Sequence, residues 1–314
     1  MAGYEAVIGL EVHVQIKTDS KMFCKCPNRF GSEPNTNVCP VCMGHPGVLP
    51  TPNREAIRKT VMAGLMTECR IPNRSKFDRK SYFYPDMPKN YQLTQYDMPF
   101  CLAGRIHIHG KGFSGEEMAD KYIGLTRIHL EEDVAKLTHF GDCSGVDFNR
   151  AGVPLMEIVS EPDMRSADEA YAYLTALKQI MQFGGIGDCD MEKGQMRCDV
   201  NISIRHRGDE KFGTKIELKN LNSFRAVHRA ITYEIKRQIV MLEAGDVIHQ
   251  ETRGWNDDVG ESYLMRSKEN ANDYRYFPEP DLMPVVLSDE DIEAIRRDGT
   301  LDPHRIHHRS ASSP

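Results

Sequence analysis

Nowhere in the 314 residues is there an apolar run approaching the 18 or so that a membrane-crossing helix needs. No membrane anchor is therefore expected. The first residues, MAGYEAVIGLEVHV, hold no basic segment followed by an apolar one and no Arg/Ser-rich character, so neither a secretion signal nor a transit peptide is read there. A cytosolic location is the expectation. Positive charge is not in excess: 40 Lys and Arg stand against 46 Asp and Glu, for a net charge of −6. That excludes a surface built wholly to hold nucleic acid, though not a local basic site. The nine cysteines are an odd number in a long chain and do not suit a secreted disulfide framework; reduced thiols or a metal site suit them better. A P-loop signature and a G-x-S-x-G elbow are also absent. Any use of ATP must rest on another kind of nucleotide site.

What is present begins with AVIGLEVHVQI, residues 6–16. Ala6, Ile8, Leu10, Val12, Val14 and Ile16 alternate with Val7, Gly9, Glu11, His13 and Gln15. A strand sends alternate side chains to opposite faces, so one face belongs to a core and the other presents a carboxylate beside an imidazole. Segments 105–110, 122–133, 153–160, 198–206 and 214–221 are also strand-like by alternation and β-branched content. Helices are expected after Asn53, over 166–183 with Ser166 and Glu169 as a capping box, and over 222–245, closed by Gly245. Strands and helices do not alternate regularly. The fold class expected is α+β with a largely antiparallel sheet and flanking helices.

Four groups of residues can carry chemistry. Cys24, Cys26, Cys39 and Cys42 form two close thiol pairs with the donor set of a structural, tetrahedral Zn²⁺; four reduced surface cysteines are the alternative. Residues 75–97 interleave Lys76, Arg79, Lys80 and Lys89 with Phe77, Tyr82, Phe83, Tyr84, Tyr91 and Tyr96, either a site for phosphates and a planar base or a solvated loop with some buried rings. Glu11 and His13, the HLEED run from His129 to Asp133, and Glu157 set carboxylates and imidazoles on three strands. Such a set can hold Mg²⁺ beside a nucleotide. Glu157 in particular interrupts the apolar face of Val153, Leu155 and Val159, where a carboxylate must be paired or metal-bound. Finally, Asp199, Asn201, Ser203 and Arg205 share one face while Lys215, Glu217 and Lys219 share another; ion pairs between neighbouring strands explain these without function.

Several long stretches resemble one family, the B subunits of the tRNA-dependent amidotransferases (GatB of the GatCAB complex). They include YEAVIGLEVHVQIKTDSKMF, SKFDRKSYFYPDMPKNYQLTQYD, GLTRIHLEEDVAKL, VDFNRAGVPLMEIVSEPDMRSADEAYAYL, FGTKIELKNLNSF and DYRYFPEPDL. The resemblance implies a cradle-shaped, mainly antiparallel domain and a ligase that forms carbon–nitrogen bonds with glutamine as amido donor. In the family, ATP phosphorylates the side-chain carboxylate of Glu on tRNA(Gln) or Asp on tRNA(Asn), and ammonia then displaces phosphate. The ammonia comes through an internal channel from the amidase component of GatCAB, and the small third component clasps the other two. The resemblance places Mg²⁺ ligands at His13, Glu132 and Glu157, with Glu11 beside them, and puts Lys80 and Lys89 on the route to the active site. Ideal alternation conflicts with it at one point, because it sets Glu131, not Glu132, on the face of His129; a bulge or an early strand end would resolve the conflict. Gly9 is expected to let a ligand approach the strand.

The resemblance covers most of residues 4–284. A catalytic cradle is expected over 1–287, with 288–314 the truncated start of a helical domain and a disordered tail. Two functions follow from that: an active amidotransferase subunit, or a docking partner of the amidase without productive tRNA binding.

Overall fold

The alternating N-terminal segment becomes a strand, β1 (Tyr4–Gln15), in the computed structural model, which describes residues 3–267 and 273–298. Next come α1 (Arg54–Met66), the short strands β2 (Arg74–Ser75), β3 (Asp78–Ser81) and β4 (Tyr91–Thr94), and a long hairpin of β5 (Cys101–Lys111) and β6 (Glu117–Glu132). A second hairpin, β7 (Lys136–Phe140) and β8 (Cys143–Asp147), precedes β9 (Pro154–Ser160) and α2 (Ala167–Phe183). Then follow β10 (Met196–His206), β11 (Ile216–Leu221), α3 (Phe224–Glu243), β12 (Glu251–Asn256) and β13 (Glu261–Ser267). The described chain closes with β14 (Phe277–Pro278), β15 (Val285–Val286) and α4 (Asp289–Asp298).

Eight strands form the main sheet in the order β13-β12-β11-β10-β1-β9-β6-β5. Neighbours are antiparallel except β11 and β12, which run parallel and are joined across the sheet by α3, as parallel neighbours require. The fold is α+β, as expected. Helices pack on one face: α1 on β5 and β6, α2 on β5, α3 on β10, with α2 against α3. Beneath them lie Ile8, Leu10, Val12 and Val14 of β1, all essentially inaccessible, in one core with Tyr173, Leu174, Leu177 and Ile231. The other face of β1 carries Glu11, His13 and Gln15, only partly buried, and the same polar face continues across the sheet.

Each helix starts where a side chain can satisfy its free N–H groups. The Asn53 Oδ1 accepts from Glu55 N and Ala56 N at 2.9 and 3.1 Å. Ser166 Oγ accepts from Glu169 N and Ser223 Oγ from Ala226 N, at 3.1 and 3.0 Å. The Ser166–Glu169 box differs from its ideal form: the Glu169 carboxylate accepts from Arg165 N, one residue before the cap.

A smaller sheet, β14-β3-β4, places β4 against the end of β6. The stretch Gly110–Gly115 has the G-x-G-x-x-G spacing of a dinucleotide fingerprint, but it forms the tip of the β5–β6 hairpin rather than the strand-to-helix turn that such a site needs. Residues 289–298 form a helix that packs on α1, and Ile295 joins the main core. The tail expected to be disordered, 299–314, lies outside the described residues. Among the described residues no helix is long and apolar enough to cross a membrane.

Candidate active site

The central strands β1, β9 and β6 are in register so that His13 lies opposite Glu157, and Glu157 opposite His129. One alternation further along β6, Glu131 points to the same polar face. His13 Nε2 is 3.3 Å from Glu157 Oε2 and 3.8 Å from Glu131 Oε1. His129 Nε2 is 3.5 Å from Glu157 and 3.6 Å from Glu131. Ligand atoms of His13, Glu131 and Glu157 all fall within 4.8 Å of one another. Glu131 and His129 are buried, while the His13 and Glu157 side chains keep 20% and 15% of their surface exposed. Thr94 donates to Glu131 Oε2 at 3.2 Å.

The charges of the group support one another. Burial alone would favour neutral His13, but the hydrogen bond to Glu157 and the charges of Glu157 and Glu131 outweigh it and raise its pKa above 6.5. Burial would likewise raise Glu157, but His129, His13 and Lys80 hold its carboxyl well below the usual range.

Glu132, expected beside His13 and Glu157, is not there. From Arg127 β6 pairs with β9 without a break through Glu131↔Leu155 and Glu132↔Pro154, the register shift lying earlier, between Leu125 and Arg127, so neither a bulge nor an early strand end falls between His129 and Glu132. Strict alternation turns Glu132 to the far side. There it accepts from Leu93 N at 3.0 Å and forms a buried ion pair with Lys89. Glu131 and His129, which the sequence offers in the acidic set but the resemblance leaves out of the ligands, are the residues that the structure brings to the group, as alternation has them.

The other expected residues are placed as follows. Glu11 lies one step from His13 on β1 and accepts from Asn201 Nδ2 at 2.8 Å. Gly9 offers no room for a ligand of size, since a Cβ there would stand 3.6 Å from Pro162 Cα; the chain's own backbone occupies that space. Lys80 lies over the Tyr274 ring at 4.7 Å, and its charge reaches Glu157. Tyr276 stacks on Tyr96 with centroids 4.3 Å apart. Much of the basic–aromatic stretch is internally paired, Arg79 with Glu279 and Lys76 with Asp78 and Asp97. On the adjoining strands Lys219 bridges Asp199 and Glu217 at 2.5 and 3.2 Å, so ion pairing accounts for these three members of the fourth group.

The sulfurs of Cys24, Cys26, Cys39 and Cys42 also lie within 4.8 Å of one another. The Cys42 thiol is pulled down to about 4, chiefly by the hydrogen bond from Cys24, with Cys39 N–H and the Lys21 ammonium adding to it. Lys21 is fully buried, with Nζ 3.7 Å from Cys42 Sγ and 3.3 Å from the Phe148 carbonyl. A cluster of thiols that favours a thiolate and holds a buried cation beside it has the chemistry of a soft-metal site. Between this loop and the Lys89–Glu132 pair is a small pocket lined by Phe23, Cys42, Tyr91, Leu93 and Gly152 among others.

Comparison with known proteins decides the family. Residues 6–293 match the family described as the GatB/GatE catalytic domain. The chain belongs to this family. Curated relatives named as the B subunit of aspartyl/glutamyl-tRNA(Asn/Gln) amidotransferase include one from Methylacidiphilum infernorum, 57% identical over 91% of this chain. Others come from Thermoanaerobacter pseudethanolicus, 56% identical over 98%, and Caldanaerobacter subterraneus, 57% identical over 94%. This GatB/GatE-type chain spans 60%, 64% and 61% of the lengths of those three relatives.

Proposed function

We propose that this chain carries the site of a cytosolic tRNA amidotransferase at which a side-chain carboxylate of glutamyl-tRNA(Gln) or aspartyl-tRNA(Asn) is activated by ATP and then amidated. The observation that supports this best is the convergence of His13, Glu131 and Glu157 within 4.8 Å on the open polar face of the sheet. Two carboxylates and an imidazole are a fitting donor set for a divalent cation of the Mg²⁺ type. When bound, that cation neutralises phosphate charge. The site proposed is thus His13, Glu131 and Glu157, with His129 and Glu11 alongside and Glu132 removed from the ligands.

In the reaction proposed, a carboxylate oxygen of the aminoacyl group bonds to the γ-phosphorus and the bond to the bridging oxygen breaks, releasing ADP. Ammonia nitrogen then attacks the acyl carbon, phosphate leaves, and the nitrogen loses a proton. Little covalent work falls to the protein in such a transfer; positioning and charge dominate. Lys80, within reach of Glu157 electrostatically, is suited to contact phosphate. Lys89 and Glu132, beside the pocket, are suited to line the path by which ammonia arrives from the amidase component, with the small third component completing the heterotrimer. Cys24, Cys26, Cys39 and Cys42 are suited to hold a structural Zn²⁺, a closed site with no open position for catalysis.

The test is reconstitution. This chain, the amidase and small components, ATP, Mg²⁺, glutamine and glutamyl-tRNA(Gln) should yield glutaminyl-tRNA, read by chromatography of the released amino acid. A stable heterotrimer that converts nothing would favour a docking role instead.

A further inference from the structure

Arg197 stands directly opposite His13 on the neighbouring strand β10, on the same face of the sheet. Its guanidinium is gripped by one carboxylate: Nη2 donates to Asp133 Oδ1 at 3.0 Å and Nη1 to Asp133 Oδ2 at 3.3 Å. The Asp133 side chain is 1% exposed, that of Arg197 36%. Gln15 Nε2 also donates to Asp133, at 2.9 Å. Asp133 already has a second cation within reach, since Arg150 Nε is 3.8 Å away and is itself fixed by the carbonyls of Val134 and Ala135 at 2.9 and 2.8 Å. One carboxylate thus faces two arginines, and the charge of Arg197 is directed as well at Glu131 and Asp199.

We propose that Arg197 is a phosphate-binding residue of this site and that Asp133 is the positioning residue that aims it. The proposal rests on the reading of the site as one for a divalent cation and ATP. Its chemistry is direct. A guanidinium has five N–H donors in a rigid fork, of which Asp133 takes two, and the rest can meet an anion. A fork fixed bidentately loses little entropy on binding. With a divalent cation on Glu131 and Glu157, those carboxylates would no longer offset Arg197, and the sheet face in front of His13 would become a place for polyphosphate. Arg127 and Lys80 flank the group but are held differently, Arg127 bonded to His129 Nδ1 at 3.3 Å and Lys80 laid on Tyr274. The rival explanation is that Asp133–Arg197 is only a strut between the end of β6 and β10.

The two explanations differ in sign. Removing a cation that faces carboxylates must tighten a bare metal ion while weakening a triphosphate; loss of a strut loosens both. The full chain is titrated by calorimetry with Mn²⁺ alone, with Mg·ATP and with AMP, as wild type, Arg197→Gln, Arg197→Lys and Glu157→Gln, each variant first checked for a wild-type melting profile. Arg197→Gln should weaken Mg·ATP at least tenfold, leave AMP unchanged, and bind Mn²⁺ more tightly than wild type. Arg197→Lys, which keeps the charge and loses the fork, should fall between. Unchanged Mg·ATP binding in Arg197→Gln, with binding lost in Glu157→Gln, overturns the role of Arg197 and leaves the site reading intact. So does a parallel loss of Mn²⁺ and Mg·ATP in both Arg197 variants. A wild-type chain that binds no Mg·ATP overturns the site reading itself, and the inference with it.

Discussion

Glu131 and Glu132 are neighbours in the chain and strangers in space: one faces the His13–Glu157 group, the other is locked to Lys89 on the opposite side of β6. Their substitutions should therefore separate cleanly. Glu131→Gln is expected to abolish divalent-cation binding with little loss of stability. Glu132→Gln should leave cation binding near wild type but strand the Lys89 ammonium, and breaking a buried pair in this way costs about 3–5 kcal/mol. Manganese titration and urea unfolding of both variants check this; lost manganese binding in Glu132→Gln alone would return Glu132 to the ligand set.

The His13–Glu157 contact carries a pH signature. His13 is raised above its ordinary 6.5, so its contribution to stability is fully present below 6.5 and is lost as pH rises through the folded value. Glu157 is depressed below its ordinary 4.5, so its contribution is present above 4.5 and is lost as pH falls through its folded value. The metal-free contact is thus most stabilising between 4.5 and 6.5. A cation must displace the His13 proton, so its affinity should climb with pH, by up to about tenfold per unit while His13 titrates. Manganese titrations at about pH 6 and pH 8, on either side of the ordinary histidine range, check the rise, and His13→Asn should flatten it.

The thiol loop should hold metal. Elemental analysis is expected to find about one zinc per chain, as a single four-thiolate site requires. Cys42→Ser should lose that zinc and leave the fully buried Lys21 without its thiolate. A folded wild-type chain purified under reducing conditions with no zinc would make these four ordinary thiols.

Gly44 ties that loop to the Lys89–Glu132 pair. Its φ is +68°, and a Cβ there would come within 2.5 Å of Lys89 Cγ and 3.1 Å of Lys89 Cα. Gly44→Ala combines a left-handed alanine with overpacking, a loss of about 2–4 kcal/mol, and should displace Lys89. Equilibrium unfolding measures the loss. Gly47, also at positive φ but with nothing near its Cβ position, is the control, and Gly47→Ala should cost about 1–2 kcal/mol from backbone strain alone.

Much of this arrangement is written locally. The two faces of β1 follow from alternation alone, and Asn53 and Ser166 mark helix starts that the structure keeps. Alternation also set Glu131 with His129, against the family pattern, and the structure sides with alternation because β6 stays in register with β9 from Arg127 to its end. Pairing is what a local pattern does not hold. That His13 meets Glu157 on one side and Arg197 on the other depends on which strands flank β1, and those partners lie far along the chain. The grip of Asp133 on Arg197 was illegible for the same reason, since nothing near either residue in sequence refers to the other.

The place of β1 between β9 and β10 also sets an order of events during synthesis. Residues 4–15 are made well before both of their partners, and the two edges of this apolar-faced strand are covered only once residues 154–160 and 196–206 have been made. Contacts so distant in sequence form slowly, and an unpaired strand edge invites pairing with other chains. Until those strands emerge the nascent chain therefore carries the strand of Glu11 and His13 as an exposed, adhesive segment, and shielding that segment falls to whatever attends the emerging chain.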